Sequence, residues 1–175
     1  LYNLPTWGTA GCTSSKLPDE QAVLEGTQYI TMAGLSGANI IHDVGYTTFG
    51  LAHSCELVVM MNDAIGRVRR IFDGVNTTDE YLAMDDMREV GPKGHYLAQE
   101  STLVKNRENW ESALEDRNEY DRWMALGGKT MGQRAKERVQ DIILNGELNT
   151  MSPEKDAAIV AILDRIDKAE KESMM

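Results

Sequence analysis

Two stretches near the start of the chain set reactive side chains beside small residues. Leu4-Pro5-Thr6-Trp7-Gly8-Thr9-Ala10-Gly11-Cys12 ends on a thiol, and Gly37-Ala38-Asn39-Ile40-Ile41-His42-Asp43-Val44-Gly45 carries an imidazole next to a carboxylate. His42 and Asp43 read as a hydrogen-bonding or charge-bearing pair in a substrate pocket; the alternative is a structural pair that holds the following loop. Adjacent side chains on a strand point to opposite faces, so the two serve one pocket only if the strand has already ended. Trp7 and Tyr46 offer aromatic faces near the same segment ends, and such faces attract cations, quaternary ammonium groups included. Tyr29, further into the intervening sequence, reads instead as core packing.

Cys12 is either a thiolate nucleophile, a metal ligand or a small buried residue. With Cys55 and one of His42, His53 or His95 it could complete a zinc site. No C-x-x-C or H-x-x-x-H spacing supports that, and the buried residue is the better reading. His53-Ser54-Cys55 precedes a long periodic segment and reads as a cap or loop contact. Arg67-Val68-Arg69-Arg70 reads as a solvated helix face. The glycine-bearing stretches match neither a dinucleotide fingerprint nor a P-loop.

These residues need elements to hold them. Both stretches read as short buried strands, and one helix's worth of sequence lies between, opened by Ser15-Lys16-Leu17-Pro18-Asp19-Glu20 with Pro18 in its first turn. Strand, helix, strand is the repeating unit of a parallel sheet, and in such sheets ligands gather where strands end. Cys12, Thr13, His42, Asp43 and Tyr46 fall at or just past those ends. Asn39 is awkward in a buried strand and calls for a specific partner. Beyond Gly50 the pattern turns helical: segments at 56–72, 79–90, 95–110, 116–126, 130–145 and 154–172, with Thr78 and Ser152 as caps. The organisation is two βα units over residues 1–75 and a helical extension over 76–175.

The chain has 175 residues and a net charge of -10, which argues against binding a phosphate backbone. No apolar run approaches the roughly 20 residues needed to cross a bilayer. Two cysteines are too few for a disulfide scaffold, so a reducing cytoplasm is the expectation. The chain opens directly on apolar, aromatic residues, which suggests a piece of a longer polypeptide; a complete eight-stranded α/β barrel takes ~250 residues.

Pro5-Thr6-Trp7-Gly8-Thr9-Ala10-Gly11, Ser15-Lys16-Leu17-Pro18-Asp19-Glu20-Gln21-Ala22 and Gly37-Ala38-Asn39-Ile40-Ile41-His42-Asp43-Val44-Gly45 together resemble the trimethylamine methyltransferase family, most closely its members without pyrrolysine, typified by glycine betaine:corrinoid methyltransferase. Glu56-Leu57-Val58-Val59, Asp63-Ala64-Ile65-Gly66 and Glu89-Val90-Gly91-Pro92-Lys93-Gly94-His95-Tyr96-Leu97 extend the likeness through most of the chain.

The resemblance implies an α/β fold: the C-terminal part of a TIM (β/α)8 barrel, with two parallel βα units followed by a helical tail. It implies transfer of a methyl group from a methylated amine to cobalt(I) of a separate corrinoid protein, with no metal expected on this chain. Where the trimethylamine members carry a Tyr-Glu pair, this chain has His42-Asp43, which favours a quaternary amine such as glycine betaine. Trp7 and Tyr46 would then be cage walls, Asp43 a counter-charge and His42 a donor to a betaine carboxylate. No residue of this chain is expected to be catalytic in itself. The expected partners are the methylated amine, the cognate corrinoid protein and further copies of the chain, with no nucleic acid or membrane. The alternatives are a trimethylamine enzyme with an upstream pyrrolysine, a zinc enzyme built on Cys12, and a helical interaction fragment without chemistry.

Overall fold

The structure, a computed structural model, describes residues 4–146 and 151–173. The chain divides into two units, Leu1–Asp141 and Ile142–Met175. The apolar opening of the sequence therefore lies partly outside the described residues.

The first unit begins with the expected parallel βαβ. Strand β1 (Trp7–Thr9) pairs with β2 (Ile40–His42) in the register Trp7↔Ile40, Gly8↔Ile41, Thr9↔His42, and helix α1 (Glu20–Leu35) makes the crossover. Pro18 stands just outside this helix. Asp19 is the N-cap, its carboxylate accepting the Ala22 N–H at 3.0 Å and the Ser15 hydroxyl at 2.8 Å. A capping carboxylate must precede the first helical turn, and this displaces the proline by two positions from the expected one. Gly37, at φ +81, takes the chain out of α1. Asn39 has its specific partner: its Oδ1 accepts the Thr6 N–H at 2.9 Å.

The two strands are not buried as expected. Trp7 and Ile40 are 72% and 55% exposed. A Cβ on Gly8 would lie 3.3 Å from Ala38 Cβ and 3.7 Å from Ala33 Cβ, so the Gly8 face of the pair is the one α1 covers. Side chains alternate along a strand, so Trp7, Thr9, Ile40 and His42 share the opposite face. That face carries no covering layer among the described residues. Tyr29, expected inside, stands 49% exposed on α1.

A short antiparallel hairpin follows, β3 (Tyr46–Thr47) with β4 (Ala52–His53), closed by a 3₁₀ turn at Thr48–Gly50. Helix α2 (Cys55–Phe72) then packs along α1. Ser54 caps it by accepting the Leu57 N–H at 3.2 Å, the expected role for this loop. Leu57, Met60, Met61, Ala64 and Val68 of α2 join Ala10, Ala22 and Ile30 in the core. Gly26 lets the two helices approach, since a Cβ there would meet Met61 Sδ at 2.9 Å.

The helices after α2 are shorter than their patterns suggest. The segment at 79–90 is two helices, α3 (Asp79–Leu82) and α4 (Met84–Val90), broken where Ala83 takes φ +50. The segment at 95–110 contains only α5 (Glu100–Asn106), and α6 is confined to Tyr120–Ala125. None of α3 to α6 has a buried residue. Helices this short gain little from propensity and rely on packing. Helix α7 (Met131–Asn145) matches its expected span, and its Ala135 is fully buried.

In the second unit α8 (Pro153–Ser173) follows Ser152 as anticipated, and Ile159, Ile162, Leu163 and Ile166 repeat along it at helical spacing. No helix among the described residues is long and apolar enough to cross a membrane.

Candidate functional site

The register places Thr9 directly opposite His42, and the two side chains meet, Thr9 Oγ1 lying 3.1 Å from His42 Nε2. Immediately after His42 the strand ends. Asp43 takes a left-handed backbone conformation, φ +72, which brings its carboxylate back to the preceding side chain. His42 Nδ1 lies 2.8 Å from Asp43 Oδ1. This nitrogen donates to the carboxylate, so in the neutral ring Nε2 is the acceptor and the Thr9 hydroxyl donates to it. Asp43 thus lies just past the strand, with its carboxylate on the imidazole that precedes it.

The rings gather in two pairs rather than one cage. Trp7 meets His42 edge-on, with centroids 5.2 Å apart and planes at 82°. Tyr46 meets His53 in the same manner at 5.4 Å and 77°. His53 itself lies on β4 rather than in a loop, opposite Tyr46. Trp7, Thr9, His42 and Asp43 form one array; Tyr46 sits past it on the hairpin.

Cys12 belongs to the neighbourhood of Asp43 but is no activated nucleophile. Burial raises its thiol pKa, and the Asp43 carboxylate raises it further. Reactive thiols have the opposite surroundings. The side chain is half-buried, less enclosed than a core residue. Cys55, its supposed zinc partner, is exposed at the start of α2. Among the described residues no three His, Cys, Asp or Glu side chains gather within reach of one metal ion.

Sequence reasoning missed three polar features. Thr9 becomes visible only once the register is known. Glu25 on α1 accepts hydrogen bonds from the Thr13 hydroxyl at 2.6 Å, the Ser14 N–H at 2.8 Å and the Gln21 amide at 2.7 Å, and these hold its carboxyl well down, at about 2. Asp63, inside the apolar stripe of α2, is 8% exposed and accepts the Ser112 hydroxyl at 2.6 Å and the Ala113 N–H at 2.8 Å. A carboxylate on the buried side of an otherwise apolar helix was the available signal for this one. Arg67 also departs from the solvated-face reading: it pairs with Glu115 and lies 5.7 Å from the centre of the Trp110 ring.

The fold is mixed α/β, a parallel βαβ unit with an imidazole and a carboxylate at the C-terminal end of β2 and an indole at the start of β1. The family model for Trimethylamine methyltransferase (MTTB) matches residues 1–172. The chain belongs to the trimethylamine methyltransferase family, as its sequence motifs led us to expect. It is 34% identical over 157 residues to trimethylamine methyltransferase MttB of Desulfitobacterium hafniense, covering 90% of this chain and 32% of that protein. It is 32% identical over 171 residues to trimethylamine methyltransferase MttB of Methanosarcina barkeri, covering 97% and 34%. A glycine betaine methyltransferase of Desulfitobacterium hafniense is 32% identical over 165 residues, covering 93% and 34%. The chain thus spans about a third of the length of these curated relatives.

Proposed function

We propose that the complete gene product moves a methyl group from a quaternary amine such as glycine betaine to the cobalt(I) of a separate corrinoid protein. The observation that supports this reading is the Trp7–His42–Asp43 array: the indole that opens β1 meets the imidazole that ends β2, a carboxylate stands just past that strand, and Trp7 and His42 share the face that α1 leaves uncovered. A ring face and a carboxylate suit a cation, and one named relative is a glycine betaine methyltransferase.

A quaternary ammonium already carries its charge, so the departing tertiary amine is neutral. The carbon–nitrogen bond breaks with its electron pair going to nitrogen, while the cobalt of the acceptor substrate supplies the pair for the new bond to carbon. No proton has to be delivered. The chain's own task is to bind, desolvate and orient the cation. Trp7 supplies an aromatic wall and Tyr46 a second one from the hairpin. Asp43 supplies the counter-charge. His42 Nε2, released from Thr9 and protonated, would donate to the carboxylate of a betaine.

In this reading β1 and β2 are neighbouring strands near the end of a TIM barrel. Their uncovered face lines its interior and their open edges take the adjoining strands. The later helices form a C-terminal extension, and the assembled enzyme is a cytoplasmic homo-oligomer. The test is methyl transfer by the complete gene product with reduced corrinoid protein, glycine betaine and trimethylamine in parallel, followed by the loss of cobalt(I) absorbance. Transfer from glycine betaine supports the proposal. Transfer from trimethylamine alone overturns it in favour of a pyrrolysine-type enzyme, and transfer from neither overturns the choice of substrate.

A further inference from the structure

Glu25 faces the strand-end loops from α1 yet belongs to none of the groups that would touch substrate. Its Oε2 accepts from Thr13 Oγ1 at 2.6 Å, from the Ser14 N–H at 2.8 Å and from Ser14 Oγ at 3.2 Å; its Oε1 accepts from Gln21 Nε2 at 2.7 Å and Ser14 Oγ at 3.1 Å. Hydrogen bonds to an ionised carboxylate are stronger than neutral ones. The loop after β1 is thus fixed from the helix side.

The same loop is the anchor of the hairpin. The Thr13 N–H donates to the Tyr46 carbonyl at 3.0 Å, the Phe49 N–H to the Thr13 carbonyl at 3.1 Å and the Thr48 N–H to the Ser15 carbonyl at 2.8 Å. Thr13 and Ser15 are almost wholly buried, at 2% and 3% exposure. The anchored hairpin needs support. Thr48 and Phe49 take left-handed φ values of +52 and +58 without being glycine, a conformation that persists only when neighbouring structure holds it.

We propose that Glu25 is a positioning residue for Tyr46: its carboxylate fixes Thr13 and Ser14, and through their backbone it sets where the hairpin presents the Tyr46 ring. The inference rests on the reading above only in giving Tyr46 a substrate to meet.

Two measurements on the complete gene product test it. The first is amide hydrogen exchange in wild type and Glu25→Gln. Glutamine keeps the shape but turns an amino group toward donors, so exchange at Thr13, Thr48 and Phe49 should quicken about tenfold while the α2 amides stay unchanged. The second is the glycine betaine KM. Glu25→Gln should raise it about tenfold with kcat within about twofold, and the Glu25→Gln/Tyr46→Ala double variant should match Tyr46→Ala alone. Unchanged exchange at the three amides, or additive effects on KM, overturns the proposal. If wild type transfers no methyl group, the functional reading fails, and the exchange result alone decides whether Glu25 holds the hairpin. Should Glu25→Gln fail to fold, Ser14→Ala removes one donor and should quicken the same amides about threefold.

Discussion

His42 and Asp43 are adjacent in sequence yet hydrogen-bond side chain to side chain, Nδ1 to Oδ1 at 2.8 Å, because Asp43 turns left-handed at φ +72 as the strand ends. The pair fixes which ring nitrogen carries the proton, and the carboxylate also lies close enough to Cys12 to raise its thiol pKa. One carboxylate thus bonds an imidazole and adds, after burial, to the rise in a thiol's pKa.

Asp43→Asn removes that charge while keeping a residue that tolerates the left-handed region. The glycine betaine KM should rise about tenfold, the scale of a lost charge-assisted hydrogen bond. Cys12, still held up by burial but freed of the carboxylate, should react with iodoacetamide about twofold faster at pH 8. An unchanged KM removes Asp43 from the substrate's surroundings, and an unchanged alkylation rate removes it from those of Cys12.

Glu25 gives the fold an acid dependence. Its carboxyl is held at about 2 against an ordinary 4.5, chiefly by the Thr13 hydroxyl, then by Gln21 and the Ser14 N–H. The folded state therefore releases this proton more readily than the unfolded chain does. The stabilisation is complete above about pH 4.5 and is lost as pH falls toward 2. Between pH 5 and pH 2 the thermal midpoint of wild type should fall further than that of Glu25→Gln, which has no carboxyl to protonate there. Equal falls would show that Glu25 is not tied down in solution.

The βαβ unit, the long second helix, α7 and α8 were legible in the sequence because each has a cap or an apolar period of its own. Pro18 and its acidic neighbours mark the first start to within two residues, Ser54 and Ser152 mark two more, and Leu57, Met61 and Val68 mark a face. The hairpin was not legible. Two-residue strands have no period, and two of the three residues of its turn, Thr48 and Phe49, take left-handed φ without being glycine. The break at Ala83 was invisible for the same reason. In the site, His42 and Asp43 could be singled out from their place at the end of a strand, whereas Trp7, singled out on the same ground, opens β1 and meets His42 across the strand pair. Thr9 could not, because its partner is set by a register that three-residue strands do not encode. The face of Trp7 and Ile40, read as buried, stands uncovered among the described residues, because the apolar character of a strand does not say which element covers it.

Asp63 should be the costliest polar residue to remove from α2. Asp63→Ala strands the Ala113 N–H and the Ser112 hydroxyl, which now donate to its carboxylate at 2.8 and 2.6 Å. Leaving buried donors unmet costs about 2 kcal/mol. Urea unfolding should show that loss, and limited proteolysis should find new cleavage near residue 112. Asp63→Asn, which keeps one acceptor, should lose less. A variant as stable as wild type would mean that water satisfies both donors.

Trp110 lies over the next turn of the same helix, held by a gap rather than a bond. A Cβ on Gly66 would sit 2.6 Å from Trp110 Nε1 and 2.9 Å from its Cε2 and Cζ2, so the indole occupies the space that the glycine leaves. Gly66→Ala gains helix propensity of about 1 kcal/mol but must push the ring aside. Arg67, stacked on that ring at 5.7 Å, would lose its partner with it. In a background where every tryptophan but Trp110 is changed to Phe, that indole should emit at longer wavelength in Gly66→Ala than with Gly66 retained, and net stability should change by no more than about 1 kcal/mol because the two terms oppose. An unshifted spectrum would place Trp110 away from α2. A shift with a gain of the full propensity term would mean that the ring contributes nothing where it lies.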